Sequence, residues 1–396
     1  MGKASSRRRA ARALLAAAAA TGALAAAGSS SAWQPAARFP SVSATQPVAV
    51  FGSDERIPIP AKYKTLQEKV GLFYNLRRRT VCSAFCVGSD IIMTAGHCLL
   101  GTGSDRPARI ADFWFARNFG AIREETRIAG HDNGTAPQHV MLGTSHLSVL
   151  PPIEATRDWA LVRLARPVCA KGWLTMRPLT IEQVLAESAA NRMFQIAYHR
   201  DFTPWRPAYS RPCTAGRDYG PMGWKQIEKD FTNPEALILH TCDTGGASSG
   251  SPIFVETPEG PQVIAINVGT YEQSKVLMQD GQVKKRLKAE TIANTAVSSS
   301  AFAGRLEAFR KADILASPAQ MRELQGLLAG RHLYSGPVDG TYGTMMRVSI
   351  EAYEKAEGLT VTGLATGALL RRLGGGVAMQ RPKEPSPKIK TKGRKS

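Results

Sequence analysis

The 396-residue chain is long enough for two or three domains, and its 43% hydrophobic content can furnish a sizeable core. A formal net charge of +19 suits anionic partners such as cell-wall polymers or lipid head groups. No RNA- or DNA-binding motif accompanies that charge, so nucleic acid is not expected as a partner. The charge is uneven: residues 1–32 contribute +5 and residues 381–396 contribute +6, which leaves +8 for everything between.

Residues 1–32 read as an export signal. Lys3 to Arg12 form a basic start, Ala13 to Ala27 an apolar run, and Ser30-Ser31-Ala32 a small-residue cleavage site. The apolar run is short and mostly alanine, which disfavours a membrane anchor, and no transmembrane segment is expected in the mature chain. The apolar residues expected after a twin-arginine signal do not follow Arg7-Arg8-Arg9. Residues 33–48 are polar and Pro-containing and read as a leader or linker.

From residue 49 to about 275, short β-rich runs alternate with turn residues. Val70-Gly-Leu-Phe-Tyr, Ile91-Ile-Met-Thr, Trp159-Ala-Leu-Val-Arg-Leu and Val263-Ile-Ala-Ile-Asn-Val are examples. This spacing predicts an all-β sandwich or barrel. A helical stretch over 300–312 closes the domain, so its span is 49–312. Within 318–374 three helical patterns follow: Met321, Leu324, Leu327 and Leu328; then Val348, Ile350 and Tyr353; then Leu369, Leu370 and Leu373. Residues 381–396 are basic and poor in apolar side chains, and are expected to be disordered. The six cysteines are Cys82, Cys86, Cys98, Cys169, Cys213 and Cys242. In an exported chain an even number favours disulfides, with fifteen possible pairings. A metal site from Cys82, Cys86, His97 and Cys98 would have poor tetrahedral geometry, because His97 and Cys98 are adjacent. No metal or organic cofactor is expected.

Three segments carry the chemistry: Thr94-Ala-Gly-His-Cys98, Arg157-Asp-Trp-Ala-Leu-Val-Arg-Leu164 and Thr244-Gly-Gly-Ala-Ser-Ser-Gly-Ser-Pro-Ile-Phe254. A serine hydroxyl is a poor nucleophile without an adjacent base. Histidine titrates near working pH, and a carboxylate must hold its tautomer. Asp132 also lies between the first and third segments, but Gly130-His-Asp-Asn-Gly reads as an exposed turn, so Asp158 is favoured.

These segments resemble the histidine, aspartate and serine blocks of chymotrypsin-like serine peptidases. They are most similar to the bacterial glutamyl-endopeptidase-like branch, whose serine block has the form G-x-S-G-S-P. Val50-Phe-Gly-Ser-Asp-Glu-Arg56 looks like the segment near the mature start in that branch. The resemblance covers roughly residues 50–310. It implies a double β-barrel, each barrel of about six strands, with the site in the cleft between them. It also implies His97 as base, Asp158 as orienting acid, Ser249 as nucleophile, and the N–H groups of Ala247 and Ser249 as the oxyanion hole. Ala247 stands where glycine is usual, so a positive φ there would be strained. Ser248 replaces the aspartate that trypsin-like zymogens pair with a freed N-terminal amine.

Asp243, Asn267 and Gly269 are the candidates for the substrate pocket. Asp243 matches the pocket acid of trypsin-like enzymes, and the alternative is that it caps a turn with Thr244. Asn267 stands where the glutamyl branch has a histidine. The resemblance pairs Cys82 with Cys98. Cys213 with Cys242 is the pairing that flanks adjacent strands, and Cys86 with Cys169 remains.

Residues 318–374 resemble a peptidoglycan-binding three-helix module. The resemblance rests on Met321-Arg-Glu-Leu-Gln, Gly336-Pro-Val-Asp-Gly-Thr-Tyr-Gly343, Ile350-Glu-Ala-Tyr-Glu-Lys and Gly358-Leu-Thr-Val-Thr-Gly363. Met346 and Glu354 depart from the usual threonine and glutamine. The whole reads as a secreted or periplasmic, wall-associated monomeric serine endopeptidase acting on proteins or peptides, with peptidoglycan as a second partner. The alternatives are an inactive homologue serving as a wall adaptor, and a cell-wall hydrolase.

Overall fold

A computed structural model describes residues 49–375, apart from 102–108, 122–123, 203–204, 220–222 and 280–281. The expected signal, leader and basic tail lie outside the described residues.

The strands, in chain order, are β1 (Arg56–Pro58), β2 (Val70–Asn75), β3 (Thr80–Cys86), β4 (Ile91–Thr94), β5 (Trp114–Arg117), β6 (Glu124–Arg127), β7 (Val140–Leu142) and β8 (Ala160–Arg163). Then come β9 (Met193–Tyr198), β10 (Pro207–Ser210), β11 (Ala215–Gly216), β12 (Leu237–His240), β13 (Pro252–Val255), β14 (Gln262–Gln279) and β15 (Gln282–Ser298). They form two antiparallel sheets, ordered β6-β5-β2-β3-β4-β8-β7 and β1-β10-β9-β13-β14-β15-β12-β11.

The first sheet rolls up on itself. Ile128, just past β6, bridges Leu164, just past β8, and Ala129 N–H donates to Arg163 O at 2.9 Å. In the second sheet, Cys213 N–H, just before β11, reaches back to Met193 O of β9 at 3.1 Å. The apolar runs read from the sequence are the barrel walls: every residue of β2, β9, β12 and β13 is buried. Gly71 in β2 permits the tight curvature, because a Cβ there would collide with Ala116 O and the Phe115 ring of β5.

The helix Ala303–Lys311 lies within the helical stretch read over 300–312. Three helices follow: Pro318–Ala329, Thr344–Ala356 and Gly367–Gly375. They share a small core of Met321, Leu324, Leu328, Met346, Ile350, Tyr353, Leu369 and Leu373. Two buried side chains clasp the two loops. Gln325 Oε1 accepts Gly340 N–H at 2.8 Å, and its Nε2 donates to Thr341 O at 3.0 Å. Glu354 accepts the N–H groups of Thr362 and Gly363 at 2.6 and 2.8 Å, and the Thr362 hydroxyl at 2.5 Å. The module is docked through Arg347, which donates to Leu142 O of β7, and by Arg305 Nε to Val361 O at 3.3 Å.

Burial raises the Glu354 carboxyl above its ordinary value, against the hydrogen bonds it accepts. A raised folded-state pKa adds stability only while the group is protonated, below the ordinary carboxylate range. That contribution is lost as pH rises through the folded value. Glu354→Gln can accept the same two N–H groups without the charge. It is expected to raise the unfolding free energy at pH 7 by an amount on the order of 1 kcal/mol, with the gain vanishing toward pH 4. Thermal unfolding across that pH range checks both the sign and the window.

Candidate active site

His97 opens a short helical turn, His97–Leu100, directly after β4. Asp158 immediately precedes Trp159 and β8, the strand paired with β4, so the antiparallel register brings the two residues together. One carboxylate oxygen of Asp158 lies 2.6 Å from His97 Nδ1, and the other accepts the His97 backbone N–H at 2.7 Å. This two-oxygen grip orients the ring and places the proton on Nδ1. Burial opposes charge on His97, but the adjacent Asp158 anion and its hydrogen bond outweigh that and raise the imidazole above its ordinary value. Gly96 leaves room for this contact, since a Cβ there would lie 3.2 Å from Asp158 Oδ1. Asp132 is exposed in a turn, as its surroundings in the sequence indicated.

Ser249 belongs to the loop between β12 and β13, and that loop packs onto the first barrel. Ser249 O accepts Ser83 N–H at 2.9 Å, and Ala247 O accepts the Ser83 hydroxyl at 2.9 Å. Ser83 Oγ also accepts Tyr198 N–H at 3.0 Å, so one fully buried serine joins the two barrels beneath the site. Gly250, at φ +83°, sits so close to Thr94, Ala95 and Ser83 that a Cβ would collide with all three. Ser249 is thereby held beside the segment that carries His97. Among the described residues, neither the Ala247 nor the Ser249 N–H donates to a protein acceptor.

Ala247 has φ +83°, the positive value that would be strained for alanine. Ala247→Gly removes a penalty of about 1–2 kcal/mol and returns part of it as unfolded-chain entropy. The net expectation is a gain of about 0.5–1 kcal/mol, seen as a higher urea midpoint at unchanged slope.

The pocket candidates are placed as follows. Asp243 is buried, and its two oxygens accept the N–H groups of Phe51 and Glu55 at 3.0 and 2.9 Å. Ala49 and Thr244 form a two-way backbone bridge beside it, each donating to the other at 3.0 Å. The carboxylate thus anchors the segment ahead of β1. Asn267 is buried, with its amide between His240 and Ser248. Gly269 follows a bulge in β14 and faces Thr295.

Sequence reasoning missed a charged cluster behind the Ser249 loop. Arg56 is buried and pairs with Asp54 and Asp201, each at 2.7 Å. His199 accepts Gly245 N–H at 3.0 Å and is pushed down to about 3 by burial and then by Arg56. Arg56 and Asp201 are 145 residues apart, so no local pattern announces the pair.

The three disulfides are Cys82–Cys98, Cys86–Cys169 and Cys213–Cys242, and among the described residues no cysteine is free. Cys82, His97 and Cys98 bring three potential ligand atoms together. They do not fit a metal, because the two sulfurs are bonded to each other and the imidazole is committed to Asp158.

Residues 63–218 match the family model described as "Trypsin", and residues 317–373 match the one described as "Putative peptidoglycan binding domain". The trypsin match ends before Ser249. The chain is 22% identical over 236 residues to "Extracellular metalloprotease" of Bacillus subtilis (strain 168), covering 57% of this chain. It spans 64% of that relative's length. Two solved structures are similar at 13% identity. "Structure of Glu endopeptidase in complex with MPD" has a TM-score of 0.44 and covers 66% of this chain and 99% of the other. "Secreted serine protease VesC from Vibrio cholerae" has a TM-score of 0.41 and covers 63% and 47%. The chain thus joins a domain matched by the trypsin model, of mostly β, chymotrypsin-like fold with two antiparallel sheets, to a C-terminal helical domain matched by the peptidoglycan-binding model.

Proposed function

We propose that this chain is a secreted serine endopeptidase in which Ser249, His97 and Asp158 hydrolyse peptide bonds through an acyl-enzyme. The observation that carries this reading is the grip of both Asp158 oxygens on His97, 2.6 Å to Nδ1 and 2.7 Å to the backbone N–H. With Nδ1–H donated to Asp158, His97 Nε2 is the basic nitrogen. It takes the Ser249 proton as Oγ attacks the carbonyl, then passes that proton to the leaving amine. The Ala247 and Ser249 N–H groups supply donors for the oxyanion, each worth about 3 kcal/mol in sites of this kind. Water, activated by the same imidazole, then releases the acyl group.

Neither Asp243 nor Asn267 has a free side chain to offer a substrate, so we infer that specificity comes from elsewhere along the cleft. Cleavage of a peptide library maps the preference directly. The module supports retention at peptidoglycan, and the three disulfides support an oxidising destination.

A fluorophosphonate probe is expected to label Ser249 in the folded protein and to leave Ser249→Ala unlabelled. Absence of labelling in the wild type would establish the inactive-adaptor reading instead. Release of muropeptides from purified sacculi by wild type but not by Ser249→Ala would move the substrate to the wall itself.

A further inference from the structure

Asn267, a pocket candidate by sequence, is only 2% exposed, and both ends of its amide are used inside the protein. Its Oδ1 lies 3.1 Å from His240 Nε2, and its Nδ2 lies 3.2 Å from Ser248 Oγ. His240 is fully buried, and its Nδ1 accepts the Cys242 N–H at 3.3 Å, so the ring proton sits on Nε2 and donates to Asn267. That choice of tautomer orients the amide: Oδ1 accepts from His240, and Nδ2 donates to Ser248. The Asn267 backbone adds two more bonds. Its carbonyl accepts Gly250 N–H at 2.7 Å, and its N–H donates to Ser251 O at 2.9 Å. One residue therefore holds positions 248, 250 and 251 around Ser249, and reaches the start of the same loop at Cys242 through His240.

The loop needs such restraint. Ala247 is held at φ +83°, and a strained non-glycine residue keeps that conformation only where its surroundings over-determine it. We propose that Asn267, oriented by His240, is a positioning residue that holds Ser248 and hence the nucleophile loop in its active geometry, so that no freed N-terminal amine is required. Ser248 stands where trypsin-like zymogens carry the aspartate that such an amine pairs with. Here an uncharged chain of hydrogen bonds, built from internal residues, does the holding. The proposal rests on the assignment of Ser249 as nucleophile.

The test uses the full chain, purified with its disulfides formed, and compares Ser248→Ala, Asn267→Ala and the double variant on one peptide substrate. Each single change is expected to lower kcat by roughly 10- to 100-fold, with KM changed less than about threefold. The double variant is expected to be no slower than the worse single, because the two residues act as one unit. A raised KM at unchanged kcat, the mark of a pocket residue, would overturn the proposal, as would losses that multiply in the double variant. Ser248→Ala removes a single oxygen and keeps the question open to measurement if Asn267→Ala does not fold. Fluorophosphonate labelling separates the two levels. Labelling of these variants at the wild-type rate overturns only the positioning role, whereas an unlabelled wild type overturns the assignment of Ser249.

Discussion

Asp158→Asn is expected to lower kcat by about four orders of magnitude near neutral pH while leaving the fold intact. The reason is the proton on His97 Nδ1. In the wild type a carboxylate oxygen accepts it at 2.6 Å, and the second oxygen holds the backbone N–H at 2.7 Å. An asparagine can keep the backbone contact, but its NH2 then faces Nδ1 and favours the tautomer with the proton on Nε2. On the proposed mechanism, that tautomer cannot accept the Ser249 proton. The pH profile supplies a second readout. The Asp158 anion raises the His97 pKa against burial, so the acid limb of kcat/KM is expected above the ordinary imidazole value in the wild type. Without the anion, burial alone acts, and the residual activity should show its acid limb at lower pH. Asp132→Asn is expected to leave kcat within about twofold, since its side chain is exposed in a turn. The reverse result for the two aspartates would reassign the orienting acid.

The second large effect concerns stability. Cys86–Cys169 closes a loop of sequence separation 83, against 16 for Cys82–Cys98 and 29 for Cys213–Cys242. On the chain-entropy account, its loss should cost about 4–5 kcal/mol, against about 3 kcal/mol for Cys82–Cys98. Cys86 and Cys169 are both buried, so a Cys86→Ala/Cys169→Ala variant also leaves a small cavity that adds to the cost. Guanidinium unfolding of the three double-alanine variants gives the ranking. Activity should rank differently. Cys98 is adjacent to His97, and the Cys82–Cys98 bridge ties the His97–Leu100 turn to β3, so its removal should lower the titrated fraction of active sites most. If unfolding costs follow no order of loop length, strain or residual structure outweighs the entropic term.

The peptidoglycan-binding-type module is docked on the strand pair that carries Asp158. Arg347 donates to Leu142 O at the end of β7, and the next residue, Gly143, is hydrogen-bonded to Trp159 O at 2.9 Å. The Trp159 indole packs against Phe302, just ahead of the helix Ala303–Lys311, with ring centroids 6.0 Å apart. The module is thus built onto the first barrel.

The candidate site segments could be read locally. Thr94–Cys98, Arg157–Leu164 and Thr244–Phe254 stand out by residue type and order alone, and each lies where a strand meets a turn or loop. The three-helix module was legible too, since its apolar positions recur at helical spacing and, apart from Val348, which is 50% exposed, pack on one core. The roles of Asp243 and Asn267 were not legible in this way. The sequence could say that an acid and an amide lie near the nucleophile. Whether their polar atoms face substrate or protein depends on donors 188 and 192 residues away for Asp243, and on His240 and Ser248, at separations of 27 and 19, for Asn267. The buried Arg56–Asp201 pair has the same character. Hydrogen-bond satisfaction of a buried group is decided by whichever segments the fold brings into contact, and only the tertiary structure supplies that. By itself the sequence singled out the candidate residues of the proposed chemistry. The packing of the two barrels, with the segment ahead of β1, decided which polar side chains remain free and which hold the site in shape.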